Sequence, residues 1–342
     1  MISPLSCVAT LADLDEAGAA YDAAVDESLD LDRFCSQRAF VVAAFLGLQP
    51  GRTARFFRTD SGGWLLFAER EVAMLGDPRP RRLWEPLEAM WGLSCPLVGA
   101  DEPALGAALA QAAHEAHDQG GSPVVLLCGL RRGSLRMRTA VAALSATHRI
   151  SEGTGTQRQV ASLEGGLDGF LARRSAGFRS KIRRARRQAE ARGLRYERHA
   201  PTTVDDVRRL YDRAATLDDD SWKGRAETGL RGSGLYAFYE HMLPRLAARG
   251  ELRMSFLVDG GQDVAYLFGG VRHGTFRGLQ FAFRAGHEAR SLGNVAQLME
   301  VEQLCKDGAL RYDLGVSAEY KQHWGEELDE TMSLIAAPRR GF

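Results

Sequence analysis

Apolar and polar positions alternate most clearly in two parts of the chain. Residues 55–58 and 64–68 read as strands flanking Asp60-Ser-Gly-Gly63, a hairpin signal because glycine accepts the positive φ of tight turns. Residues 252–258, 264–271 and 275–283 form three further runs, punctuated by Gly260-Gly261 and His273-Gly274, and predict an antiparallel meander. Helical spacing of apolar residues covers 11–32, 34–48, 84–91, 103–119, 204–217 and 235–249. Pro103 opens its helix where a missing N–H costs nothing. Single strands are predicted at 124–128, 157–163, 194–198, 310–316 and 327–337, and the Pro-rich patch at 76–80 is expected to end the first hairpin unit. Strands and helices interleaved in this way predict an α/β (α+β) protein, with a mixed, mostly antiparallel sheet flanked by helices. The Gly/Ser/Thr-rich turn at 151–155 divides it into an N-terminal α/β domain, 1–152, and a second domain, 153–342.

The chain of 342 residues is 45% hydrophobic and 26% charged, with zero formal net charge, so a basic surface can only be local. Five scattered cysteines without a C-x-x-C pair predict neither a disulfide framework nor a zinc site; no metal is expected. The N-terminal residues lack the basic start and apolar core of a signal peptide, and the longest apolar runs fall short of the roughly 20 residues of a membrane helix. A cytoplasmic protein without a membrane span is therefore expected.

One segment, 173–192, is strongly biased: nine arginines and lysines surround an apolar stripe of Phe178, Ile182, Ala185 and Ala189. It reads either as a solvated helix face or as a phosphate-binding surface in which Arg183 and Arg187 meet a polyanionic donor or RNA. Asp218-Asp-Asp-Ser-Trp-Lys-Gly224 reads either as a helix end and turn or as an amine-recognition element with Asp220 as base and Trp222 beside the acceptor. The stretch 284–325 combines a helix start at Arg290-Ser-Leu292-Gly293-Asn294, a potential anion cradle, with a strand that delivers Ser317, Glu319, Tyr320 and Lys321. No nucleophilic Cys or Ser with a His partner is evident, which favours direct transfer over a covalent intermediate.

On Phe178-Arg-Ser-Lys-Ile-Arg-Arg184, residues 249–257, the loop at Gly293, and Asp313 through Tyr320-Lys321-Gln-His-Trp-Gly325, the C-terminal half resembles the GNAT-fold acyltransferases of the FemAB-like and CelD-like branch, the BioF2-like acetyltransferase domain. The resemblance spans roughly 157–336. It implies a GNAT-like sheet and a first lobe that is a degenerate copy of the same fold. It also implies direct attack of an amine, from a small molecule or peptide, on an acyl donor. Acyl-CoA is the favoured donor, with aminoacyl-tRNA docking on helix 173–192 as the alternative. A third reading is a non-catalytic RNA- or partner-binding protein. The resemblance assigns Tyr320 as general acid, Lys321 in the same role or on the donor, Arg290, Leu292, Gly293 and Asn294 to the donor phosphates, and Gln280 and Arg284 to the acceptor pocket. Glu319 is a second candidate base. The loop departs from the usual pyrophosphate pattern by carrying Val295 in the last position.

Overall fold

The hairpin signal at Asp60–Gly63 corresponds to β2 and β3 in the computed structural model, which describes residues 6–74, 77–286 and 291–339. The chain forms two compact units, residues 1–156 with 330–342, and residues 157–329. Residues 330–342 go with the first unit because the last strand pairs there.

The first unit contains β1 (Ser6–Ala9), α1 (Leu11–Glu16), α2 (Gly18–Glu27), α3 (Arg33–Ser36), α4 (Arg38–Leu48), β2 (Thr53–Arg58), β3 (Trp64–Met74), β4 (Asp77–Pro86), β5 (Leu97–Val98), α5 (Glu102–Asp118), β6 (Val124–Leu130), α6 (Leu135–Leu144) and β7 (His148–Glu152). β1 to β4 are antiparallel neighbours, and β6 joins β4 in parallel over Leu83–Val124 and Trp84–Val125. Two expectations fail here. Residues 84–91 have helical spacing, yet Trp84 lies in β4, where its ring stacks 5.6 Å from Phe67 and its Nε1 donates to Glu69 at 2.7 Å. Pro86 has no N–H to give a helix, and buried Glu88 accepts from the backbone N–H of Trp91 and Leu93 at 2.6 and 3.0 Å, which locks the segment outside a helix. The patch at 77–80 begins β4 instead of ending the unit; its prolines precede the part of β4 that meets β6, so no ladder bond is lost on that side.

The second unit contains β8 (Thr156–Ser162), α7 (Gly166–Ala172), α8 (Ala176–Ala191), β9 (Arg195–His199), α9 (Val204–Asp219), α10 (Trp222–Arg225), α11 (Leu235–Ala248), β10 (Leu252–Asp259), β11 (Gln262–Arg272), β12 (Thr275–Phe283), α12 (Leu292–Lys306), β13 (Arg311–Val316) and a 3-10 turn, Glu319–His323. β14 (Glu327–Pro338) then returns to the first unit, pairing with β6 and β7. The sheet order in the second unit is β8-β13-β12-β11-β10-β9. Alternation along β11 sends Tyr266 and Phe268 to the aromatic layer of Tyr211 and Tyr239 on α9 and α11, and Leu267 to the core with Leu298, Val301 and Phe170. Helices α9–α11 therefore cover one face of the meander and α7, α8 and α12 the other. The α8 stripe read from the sequence is the buried one: Ile182, Ala185 and Ala189 are 1, 4 and 8% exposed.

Two features of β12 create a site. A register shift between Phe268–Gln280 and Gly269–Gly278 leaves Leu279 as an extra, bulged residue, which re-aims Gln280 and Phe281. Parallel pairing of β12 with β13 stops at Arg277–Asp313, after which the two strands part. A buried ion cluster holds the apex of this fork: Asp313 binds Arg158 and Arg277 (the latter at 2.9 Å) and accepts from the Gly315 N–H at 2.8 Å, while Arg158 also binds Asp329 at 2.7 Å.

Candidate active site

Between the parted strands lies a cleft of about 200 Å³, lined by Gly278 to Phe281, Tyr312, Leu314, Tyr320, Lys321, Lys223, Gln297 and Leu267. A second cleft of about 330 Å³ is lined by Ser175, Gly177, Phe178, Lys181 and Ile182 of the start of α8, by Asn294 of α12, and by Tyr320, His323 and Trp324. Tyr320 is the residue the two share. Its ring sits 5.9 Å from Phe281, and burial pushes its hydroxyl up to about 12. The starts of α8 and α12 both reach the second cleft; Ser175 caps α8 by accepting from the Phe178 N–H, while the α12 N-cap, Ser291, lies at φ 53 and makes no side-chain cap among the described residues.

The Tyr-Lys-x-x-Trp-Gly segment divides its labour. Tyr320 and Lys321 face the clefts, while Trp324, 2% exposed, packs on Phe178 and Phe170 at 5.2 and 6.1 Å. A Cβ on Gly325 would meet the Val160 carbonyl at 2.7 Å, so glycine lets the segment lie against β8. Lys321 donates to the Val316 carbonyl at 2.7 Å. Burial pushes its ammonium down to about 8, helped by the nearby Lys223 and Arg277 charges and opposed by Asp313. Lys223 donates to Gln280 Oε1 at 2.7 Å and to the Phe281 carbonyl at 2.9 Å, and burial holds it below the ordinary lysine range, against the opposing field of Asp218.

Of the residues singled out from the sequence, the structure brings Tyr320, Lys321 and Gln280 into the first cleft and Asn294 into the second. Leu292 and Gly293 are buried at the start of α12; a Cβ on Gly293 would approach Phe281 at 3.0 Å and Phe283 at 3.2 Å. Gly293→Val is therefore expected to push the Phe281 ring toward Tyr320 and lower kcat/KM by about 10²-fold with little loss of secondary structure, measured by steady-state kinetics beside circular dichroism. Val295 points into the core, where α8 supplies only Ala185 and Ala189, so the departure from the family pattern is accommodated by packing. Arg290 lies outside the described residues. Arg183 and Arg187 are exposed and line neither cleft; Lys181 is the α8 cation that lines the second.

The three aspartates separate completely. Asp218 is buried and accepts from Tyr266 Oη at 2.7 Å and the Leu230 N–H at 2.6 Å; Asp219 binds Arg231; Asp220 binds Arg284 at 2.5 Å. Asp220 and Arg284 thus satisfy each other outside the clefts, and Trp222 is 49% exposed beside Lys223. Glu319 lines neither cleft. Lys223, Lys181, Gln297 and Tyr312 were not anticipated. Among the described residues no group of His, Cys, Asp and Glu is placed to hold a metal, and no helix is long and apolar enough to cross a membrane.

A family model of the acetyltransferase (GNAT) domain matches residues 176–322, from the first turn of α8 to the Tyr-Lys turn. The whole chain shares its fold with solved structures. FemX superposes with a TM-score of 0.64 at 13% identity, covering 95% of this chain and 96% of that one. L-PGS from Bacillus licheniformis gives 0.52 at 14% identity, covering 83% and 84%. A conserved protein of unknown function from Bacteroides thetaiotaomicron gives 0.52 at 16%, covering 98% and 99%. No curated protein sequence matches the chain. The family match marks 176–322 as a GNAT acetyltransferase domain, and the superpositions show the fold of the chain. Within that class the chain is FemAB-like in fold, as the full-length likeness to FemX shows.

Proposed function

We propose that the second unit moves an acyl group from a phosphate-bearing carrier, acyl-CoA in the first instance, to an amine by direct attack. The observation that carries this reading is the meeting of two clefts at Tyr320 across a forked sheet. The larger one, with two helix starts and Lys181, suits donor phosphates. The smaller one takes the acceptor, and the bulge at Leu279 leaves backbone of β12 facing the reacting carbonyl.

Proton balance assigns the roles. An attacking amine loses a proton, and the leaving thiolate gains one. A thiol of pKa about 8.5 is poorly matched to Tyr320 at about 12 but closely matched to Lys321 at about 8. Neutral Lys321 takes the proton from the acceptor and hands it to the departing sulfur; Tyr320, kept as a phenol, orients the donor end by hydrogen bonding. This moves the principal acid role from Tyr320 to its neighbour and requires no base from Asp220.

Aminoacyl-tRNA is the second reading of the donor. It is favoured by Lys181, Arg183, Arg184, Arg187 and Arg192, which have no ion-pair partner among the described residues, whereas Arg174 and Arg186 are tied to Glu326 and to Glu190 and Glu302. Mass-spectrometric detection of product with each donor, with and without ribonuclease, separates the two. Ribonuclease-insensitive acylation from acyl-CoA alone is expected; product formed only with aminoacyl-tRNA would transfer the assignment to the second donor, and no product with either would remove the enzymatic reading.

For the first unit, residues 1–156 with 330–342, the same reading makes it a GNAT-like lobe that holds no donor. It repeats the plan of antiparallel meander, helix and parallel strand. Past the short parallel contact its own chain fills the space: the Gly129 N–H donates to the Gly92 carbonyl at 3.1 Å, and a Cβ on Gly129 would strike the backbone of Leu93 and Ser94 at 2.7 Å.

A further inference from the structure

The smaller cleft is lined by basic side chains with no acid among them. Its lining includes Lys223 and Lys321 but no aspartate or glutamate among the described residues. The two acids whose fields reach these lysines are already occupied: Asp218 by Tyr266 and the Leu230 N–H, Asp313 by Arg158, Arg277 and the Gly315 N–H. A ligand entering here meets Lys223 with no carboxylate of the lining to balance it.

We propose that the amine accepted in this cleft also carries a carboxylate, bound by Lys223 together with Gln297 and Tyr312. This deepens the acyltransferase reading and rests on it for the identity of the acceptor. Lys223 is pinned by its bonds to Gln280 and the Phe281 carbonyl, which use two of its three N–H groups and leave one for a ligand. Gln297 and Tyr312 are each 3% exposed, line the cleft, and form no side-chain hydrogen bond with any described residue. Two such groups lining one cleft keep their hydrogen-bonding capacity for a polar ligand atom. The available donors outnumber what a single oxyanion of the transferring acyl group uses, and match the roughly four lone-pair positions of a carboxylate. The volume of about 200 Å³ is about seven times the liquid volume of a water molecule, room for an amino-acid head group and little more. Lys321, bonded only to the Val316 carbonyl, remains for proton transfer.

The test is calorimetric binding of alanine, β-alanine, 4-aminobutyrate and lysine to the full chain, each beside its amide and its decarboxylated amine. The free acid of at least one series is expected to bind more tightly than its amide by at least about tenfold. That ratio is expected to fall to about one in Lys223→Gln and to drop severalfold in Gln297→Leu, with thermal unfolding reporting that each variant folds; if Lys223→Gln does not fold, Gln297→Leu decides. Equal affinity for acid and amide in the unaltered protein, persistence of the preference in the variants, tighter binding of a phosphonate analogue, or no binding by any member of the panel would each overturn the proposal. Carboxylate-dependent binding without transfer from any donor would instead overturn the acyltransferase reading and leave this one standing.

Discussion

Lys321→Met is expected to lower kcat with acyl-CoA by about 10²-fold or more while leaving donor binding within a few-fold, because the side chain carries the transferred proton and not the donor phosphates. In the unaltered protein, kcat/KM should rise with pH and level off above about 8, where burial has brought the Lys321 ammonium, so that its neutral form predominates. The sign follows from the role: a base works deprotonated, and lowering the pH through the folded-state value removes it. Lys321→Arg should not rescue, since a guanidinium does not deprotonate in this range. Tyr320→Phe should cost less than Lys321→Met, because a hydroxyl held at about 12 contributes a hydrogen bond and not the leaving-group proton. A pH profile for Lys321→Met with the unaltered rise near 8 would show that the proton travels elsewhere.

Asp313→Ala is expected to destabilise the protein by about 3–5 kcal/mol, read from the midpoint of urea unfolding, because it removes the carboxylate that two buried guanidinium groups share. Arg158 and Arg277 have side chains 4 and 5% exposed and both converge on this carboxylate at the apex of the fork. Arg158 keeps Asp329, so part of the cluster survives. The milder Asp313→Asn tests a separate consequence. Asp313 raises the Lys321 value, and its removal should shift the rise in kcat/KM to lower pH. Stability loss without that shift would mean that the cluster only shapes the fork.

Most of the framework was readable because its signals are local. The meander from β10 to β12 follows from alternation and two glycine turns. What escaped were features created by contacts distant in sequence. Lys223 sits in a run whose aspartates and tryptophan drew notice, yet its partner Gln280 lies 57 residues away. Asp220, read either as part of a helix end or as a base, pairs with Arg284, 64 residues on. Helix α6 and strand β7 gave no signal; in α6 a buried arginine, Arg136, 1% exposed and paired with Asp30 and Glu102, stands where the apolar pattern needs a hydrophobe. The arginine-rich helix was legible as a helix with one buried stripe, but which of its charges are already paired depends on Glu302 and Glu326, far along the chain.

The return of β14 sets an order of assembly. During synthesis the first unit is complete up to β7 long before β14 exists, yet β14 pairs with β6 and with all of β7, from His148 to Glu152. Until the second unit has been made, the sheet of the first has an open edge at β6, a strand whose interior is Val125, Leu127 and Leu130. The part made first is thus the part finished last, and its exposed apolar edge is a period of vulnerability that ends only when the second unit has left the ribosome.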